Sequence, residues 1–313
     1  MQLYQKRSFG EYFSDTFKFI RLHGKHFYKN YLLINGIFIL ILMTLYYFFG
    51  KFYTDFLTAS INPQGGGNIV EEYINDHMWA VMGFFGLFFV VGIIAATVNY
   101  AFTPIYLNRF SENNTTDFNS NTIWGLYKQH LGKLVVFILA GLLIAIPTII
   151  ALGLASALVM ITIIGFPLVF VVLGFGSLFY HSTLMEYLRG RKGIFDAFQY
   201  GLNLPFKKFW AACGSVGLFY LMVTFVQYFV SMLPYFIFGF SVFVDAQSTS
   251  QNPDEAFSSM MVAMIASMML SYLVSILLNT VVQINQGIIY FSIKEELENI
   301  NTQSTIDQIG ANA

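Results

Sequence analysis

Charge is what this chain has least of: Lys, Arg, Asp and Glu make up only 11% of 313 residues, and from Leu134 to Met185 there is none at all. A soluble protein carries roughly a quarter charged residues, so a water-facing surface cannot be assembled from these segments. Cysteine is nearly missing as well. The single Cys213 excludes a disulfide framework or a cysteine-based metal site within one chain. Also missing are a phosphate-binding glycine loop, a nucleophile elbow, an HExxH pair and paired carboxylates within an apolar run. No catalytic, cofactor-binding or metal-binding residue is therefore identified, and neither enzyme activity nor a cofactor is expected.

What is present in abundance is apolar: 56% of the chain, with 35 Phe and 19 Tyr. In lipid each span must satisfy its own backbone hydrogen bonds, and a helical span needs about 20 apolar residues. Six runs qualify, at Tyr31 to Gly50, Met78 to Leu107, Leu134 to about Ala157, about Gly165 to Met185, Trp210 to about Phe243, and Met260 to Ile293. None has a charge at its middle, which disfavours a proton relay or coupled pump. Fifteen of the sixteen Lys and Arg lie in Met1 to Asn30, Asn108 to Lys133, Glu186 to Lys208 and the tail from Lys294; the other connections hold Lys51 and seven acids. By the positive-inside rule the basic loops and both termini are cytoplasmic, and the uneven split argues against nucleic acid as a partner. The first span, preceded by six basic residues, reads as a retained signal anchor. The expected fold is all-α, a six-span bundle in residues 1–298 with a polar, disordered tail at 299–313, in a bacterial cytoplasmic membrane.

Three segments share a pattern, giving parallel repeat units of about 8–110, 119–190 and 193–298, each an amphipathic interface helix, a basic elbow and a helix pair. The interface helices place Phe9, Tyr12, Phe13, Phe17 and Ile20, then Ile123, Trp124, Tyr127 and Leu131, then Ile194, Phe195, Phe198 and Leu202 on one face. Phe13, Phe17, Trp124, Phe195 and Phe198 are candidate docking residues for a membrane or cytoplasmic protein partner. The elbows, Lys25 with Lys29, Lys128 with Lys133, and Lys207 with Lys208, can reach anionic headgroups of membrane lipids. Pro147 and Pro234 predict kinks, and Pro234 to Gly239 could form a second short or re-entrant piece. Spans three and four must join by a tight turn between Ser156 and Pro167.

Polar residues within the spans are few. On the sixth, Ser267, Ser271, Ser275, Asn279, Gln283 and Gln286 recur at steps of four, four, four, four and three, a stripe that winds slowly around the helix. Such residues serve tight packing and interhelical hydrogen bonds, or line a hydrated or headgroup-binding cavity. Asn99 and Gln227 are the expected partners. Gly83, Gly86, Gly92, Gly174 and Gly176 offer close-approach positions. His181 and Glu186 lack a third ligand for a metal and read as structural; His23 and His26 are expected to face interfacial water. The Gly-rich outer run Asn62 to Asn68 and the pair Glu71 and Glu72 read as a solvated connector.

The stretch from Phe9 to Phe17 (Phe-Gly-Glu-Tyr-Phe-Ser-Asp-Thr-Phe), Gly193-Ile-Phe-Asp-Ala-Phe, and the endings Tyr106-Leu-Asn-Arg109 and Tyr187-Leu-Arg189 resemble the uncharacterised bacterial six-helix membrane proteins similar to the membrane domain preceding some glycerophosphodiester phosphodiesterases. The resemblance implies the six-span fold and supplies no catalytic residue; with no soluble phosphodiesterase domain, that activity is not expected. Two functions remain: a non-enzymatic scaffold or assembly partner docking through its interface helices, and a lipid or small-molecule transporter with a polar path along the sixth span.

Overall fold

A computed structural model describes residues 1–61, 75, 78–162, 165–245 and 253–301. The elements are α1 (Phe9–Ile61), α2 (Met78–Asn113), α3 (Ser120–Met160), α4 (Gly165–Arg189), α5 (Ile194–Asn203), a 3-10 turn (Pro205–Lys208), α6 (Phe209–Asp245) and α7 (Pro253–Glu298). No strand occurs among the described residues. Six helices, all but the short α5, are long and apolar enough to cross a membrane. The outer face of α3 shows why lipid is the medium. Leu139, Leu142, Leu143, Ile146, Ile149, Ile150, Leu154 and Leu158 are all more than half exposed, forming a band about 29 Å long at 1.5 Å per residue. That matches the roughly 30 Å hydrocarbon core of a bilayer and would be untenable in water.

The helices start and stop on local chemistry. Ser8 caps α1, with its carbonyl accepting from the Tyr12 amide at 3.0 Å. Glu11 accepts from the Ser8 amide (2.6 Å) and hydroxyl (2.8 Å), the carboxylate half of a capping box. The Asn119 side chain accepts from the Thr122 amide at 3.1 Å to begin α3. Helix α2 ends where Asn114 turns left-handed at φ 53°, a conformation Asn tolerates better than most residues. The joint between α3 and α4 falls at residues 161–164, inside the expected interval, and is held by bonds from Thr162 N to Val159 O and from Gly165 N to Thr162 O.

A short helix set apart by a turn from a long one occurs only in the third segment. Helices α1 and α3 run without a break through their basic stretches, because neither His23 to Lys29 nor Lys128 to Lys133 contains a proline to remove a backbone donor. In the third, Pro205 opens a separate turn between α5 and α6. Helices α3 and α6 continue past Pro147 and Pro234, so Pro234 to Gly239 forms neither a second helix nor a re-entrant piece. The connector at Asn62 to Asn68, Glu71, Glu72 and most of the 299–313 tail lie outside the described residues.

The chain gathers into two compact units. Unit 1 comprises Met1–Ile34, Thr97–Val223 and Leu278–Ala313; unit 2 comprises Asn35–Ala96 and Thr224–Leu277. Every Lys and Arg except Lys51 belongs to unit 1, and seven of the seventeen acids belong to unit 2. In unit 1, α4 packs against both α3 and α5, and half of its most apolar window is buried, more than in any other span. It also crosses α6 closely. A Cβ on Gly174 would sit 2.6 Å from the Cys213 carbonyl oxygen, and one on Gly217 would sit 2.7 Å from that of Phe170. Among the described atoms nothing lies within 4 Å of a Cβ at Gly83, Gly86 or Gly92, so those three are not close-approach sites. In unit 2, Leu42, Leu45 and Ala95 form a core flanked by Phe38, Tyr46, Phe88 and Tyr272.

Candidate functional site

The polar stripe of α7 is largely committed to holding helices together. In unit 2, the Ser267 hydroxyl donates to the Ser231 carbonyl (2.6 Å), and Gln227 donates to Ser271 (3.1 Å). A cavity of about 180 Å³ opens beside this bond, lined by Thr224, Gln227, Tyr228, Ser231 and Ser271. In unit 1, Gln286 donates to the Ser177 hydroxyl, which also lies 2.6 Å from the Tyr220 hydroxyl. Ser275 and Asn279 are half-buried, and Gln283 is buried. Asn99 is not joined to α7 as expected: it donates to the Tyr31 hydroxyl, because that face of α2 meets α1.

The best-connected amide of α7 was not part of the stripe. Asn285 is fully buried, donates to the Tyr12 carbonyl (3.2 Å) and Thr16 hydroxyl (3.0 Å), and lies within 3.3 Å of the Ser215 hydroxyl. It ties α1, α6 and α7 together. Asn285 falls outside the four-residue spacing of the serines, between Gln283 and Gln286 in the sequence.

At the basic end of unit 1 lies a buried charge network. Glu186 and Lys294 pair at 2.7 Å with side chains only 1% exposed. The Tyr290 hydroxyl donates to the same Glu186 oxygen at 2.5 Å, and Lys294 also reaches Glu298 at 2.7 Å. The ammonium sits 4.9 Å from the ring centre of Tyr200, within cation–π range. Glu186 is thus turned to a lysine and not to His181, whose ring is buried. Among the described residues no group of three His, Cys, Asp or Glu side chains could hold a metal. Next to this network Arg189 donates to Asn108 (3.2 Å) and Ser111 (3.3 Å) and lies against the rings of Tyr4 and Phe291. Burial pushes the Tyr4 phenol pKa upward, with the Arg189 charge opposing.

Two further contacts hold the amino-terminal segment. Buried Arg7 bonds to Asp15 (2.7 Å) and to the carbonyls of Gln2, Leu3 and Gln5. His26 is part-exposed, with both ring nitrogens engaged: its Nε2 donates to the Phe118 carbonyl (2.7 Å), which leaves Nδ1 to accept from the Tyr106 hydroxyl (2.8 Å). His23 packs on Phe19 and Phe110.

The candidate docking residues separate into two groups. Phe17, Trp124 and Phe195 are exposed, the last at 69%. Phe13 and Phe17 both lie against Phe219 of α6. Phe198 is unavailable: it is buried, stacks on Phe137 of α3 at 5.8 Å and lies against Phe179 and Tyr180 of α4. Of the candidate headgroup lysines, Lys25, Lys29 and Lys207 are exposed. Lys208 is already engaged, by Glu296 at 2.6 Å and the Arg7 carbonyl at 3.2 Å.

Comparison of the chain with protein-family models, curated proteins and solved structures finds no significant match. The class defined by the fold is an all-helical, multi-pass membrane protein with six helices fit to span.

Proposed function

We propose that this chain is a non-enzymatic assembly partner in the bacterial cytoplasmic membrane, with both termini in the cytoplasm. The placement of every Lys and Arg but Lys51 in unit 1, against seven acids and one base in unit 2, supports this orientation. The same reading keeps the three parallel segments as repeats, the third retaining a separate interface helix. It also groups the chain with the six-helix membrane proteins similar to the domain preceding some glycerophosphodiester phosphodiesterases. The observation that carries the docking role is the exposure of Phe17, Trp124 and Phe195 on basic-end helices, beside the exposed Lys25, Lys29 and Lys207. The amides of the same unit, by contrast, are engaged internally, with Asn285 and Gln286 bonded to neighbouring helices.

The test is quantitative co-purification from the native membrane, comparing the wild type with Phe17→Ser and Phe195→Ser combined. A stoichiometric protein partner should be lost while membrane insertion is kept. A partner retained at full stoichiometry in the variant refutes docking through these faces.

The 180 Å³ polar cavity at Gln227 and Ser271 favours a second reading, transport of a lipid or small molecule along the sixth span. Asn279→Leu with Gln283→Leu should then abolish flux in reconstituted vesicles; unchanged flux removes that path.

A further inference from the structure

The two sequence endings Tyr106-Leu-Asn-Arg109 and Tyr187-Leu-Arg189 meet in unit 1, where Arg189 donates to Asn108. Between them opens a cavity of about 410 Å³ lined by Arg109, Arg189, Arg191, His130 and Glu112. Its volume falls in the range of small-molecule sites, about 300–1,000 Å³. Three arginines against one carboxylate leave an excess of positive charge, and Arg109 already neutralises that carboxylate, Glu112. Arg189 is held in place by Asn108, Ser111 and the rings of Tyr4 and Phe291. Its planar fork retains further N–H donors beyond the bonds to Asn108 and Ser111. A guanidinium fixed before the ligand arrives loses little freedom on binding. Arg191 is exposed, and His130 is part-exposed on the α3 side. Ile105, Leu126 and Leu188 supply an apolar wall. A planar, multidentate donor set of this kind matches the tetrahedral oxygens of a phosphate.

We propose that this cavity binds a phosphate group, presented by an anionic phospholipid headgroup or by a soluble phosphate. The site is separate from the exposed aromatic faces and independent of the docking role proposed for them.

The test uses the full-length protein, delipidated in mild detergent and titrated with phosphatidylglycerol, phosphatidylcholine or inorganic phosphate, with one-to-one adducts counted by native mass spectrometry. The site predicts one tight adduct, weakened roughly 25-fold in Arg109→Gln with Arg191→Gln, at about fivefold per arginine near a membrane surface. Arg189→Lys, which keeps the charge and loses the fork, should also weaken it. Lys18→Gln with Arg21→Gln, two exposed cations outside the lining, should leave it unchanged. A phosphatidylglycerol adduct that inorganic phosphate does not displace identifies a lipid headgroup; a phosphate adduct with no lipid preference identifies a soluble ligand. Absence of any one-to-one adduct overturns the proposal. So does weakening by the Lys18 and Arg21 pair as large as that by the arginine pair, which reduces the effect to general surface charge.

Discussion

Replacing Lys294 with Met removes one charge and strands another. The Glu186 carboxylate, 1% exposed, would keep the Tyr290 hydroxyl as its hydrogen-bond donor. Breaking a buried pair from one side costs about 3–5 kcal/mol. The penalty has a ceiling: protonating a carboxyl of ordinary pKa about 4.3 at pH 7 costs about 3.7 kcal/mol, so the variant need not exceed that charge term. The expected loss is therefore about 3–4 kcal/mol, two to three orders of magnitude in the unfolding equilibrium. Glu186→Gln should be milder, about 2 kcal/mol for one charge-assisted bond, because Lys294 keeps Glu298 at 2.7 Å and the Tyr200 ring. Glu186→Gln combined with Lys294→Met should recover more than half of the single Lys294 loss, since no buried charge is then left alone. Equilibrium unfolding in mixed micelles titrated with dodecyl sulfate, followed by fluorescence of the three tryptophans, measures all three. A Lys294→Met protein within about 0.5 kcal/mol of wild type, or a double variant as unstable as the single, refutes the reasoning.

Other outcomes are accessible to the same assay. Gly217→Ala should cost about 1–3 kcal/mol by forcing α4 and α6 apart, whereas Gly132→Ala, in α3 with open space around it, should be neutral or stabilising by up to about 1 kcal/mol. Ser8→Ala should cost no more than about 1 kcal/mol, the loss of one exposed hydroxyl bond to Glu11, with the backbone bond from the residue 8 amide to Glu11 kept. Asn285→Leu should destabilise by about 1–3 kcal/mol, since it leaves the buried Ser215 hydroxyl without its amide partner.

The six helices fit to span were legible because length and hydropathy alone report a membrane helix, and each expected run lies within one. The α3–α4 turn was legible for the same reason: an uncharged run from Leu134 to Met185 is too long for one crossing. Continuity was not. Lys25 with Lys29 and Lys128 with Lys133 read as elbows, yet without proline the backbone ladder runs on through both. The Glu186–Lys294 pair joins residues 108 positions apart, and no local pattern couples them. Phe195 and Phe198 look equivalent on a helical wheel, but packing against α4 buries one and leaves the other outside. Of the cavity arginines, Arg109 and Arg189 were visible only as the endings of two spans, since their convergence depends on how α2 and α4 meet.

The α3–α4 hairpin has a consequence of its own. Its charged moorings, Lys133 and Arg189, are both at one end; Lys133 donates to the carbonyls of Tyr187 and Leu188 and so clasps the two legs together. At the other end stand Met160 and Ile161, the latter 80% exposed, with no charged residue to grip the far headgroups. Only the end holding Lys133 and Arg189 can be tied to headgroups by charge, so a mismatch between bilayer thickness and hairpin length is opposed by no ionic contact at the Met160–Ile161 end.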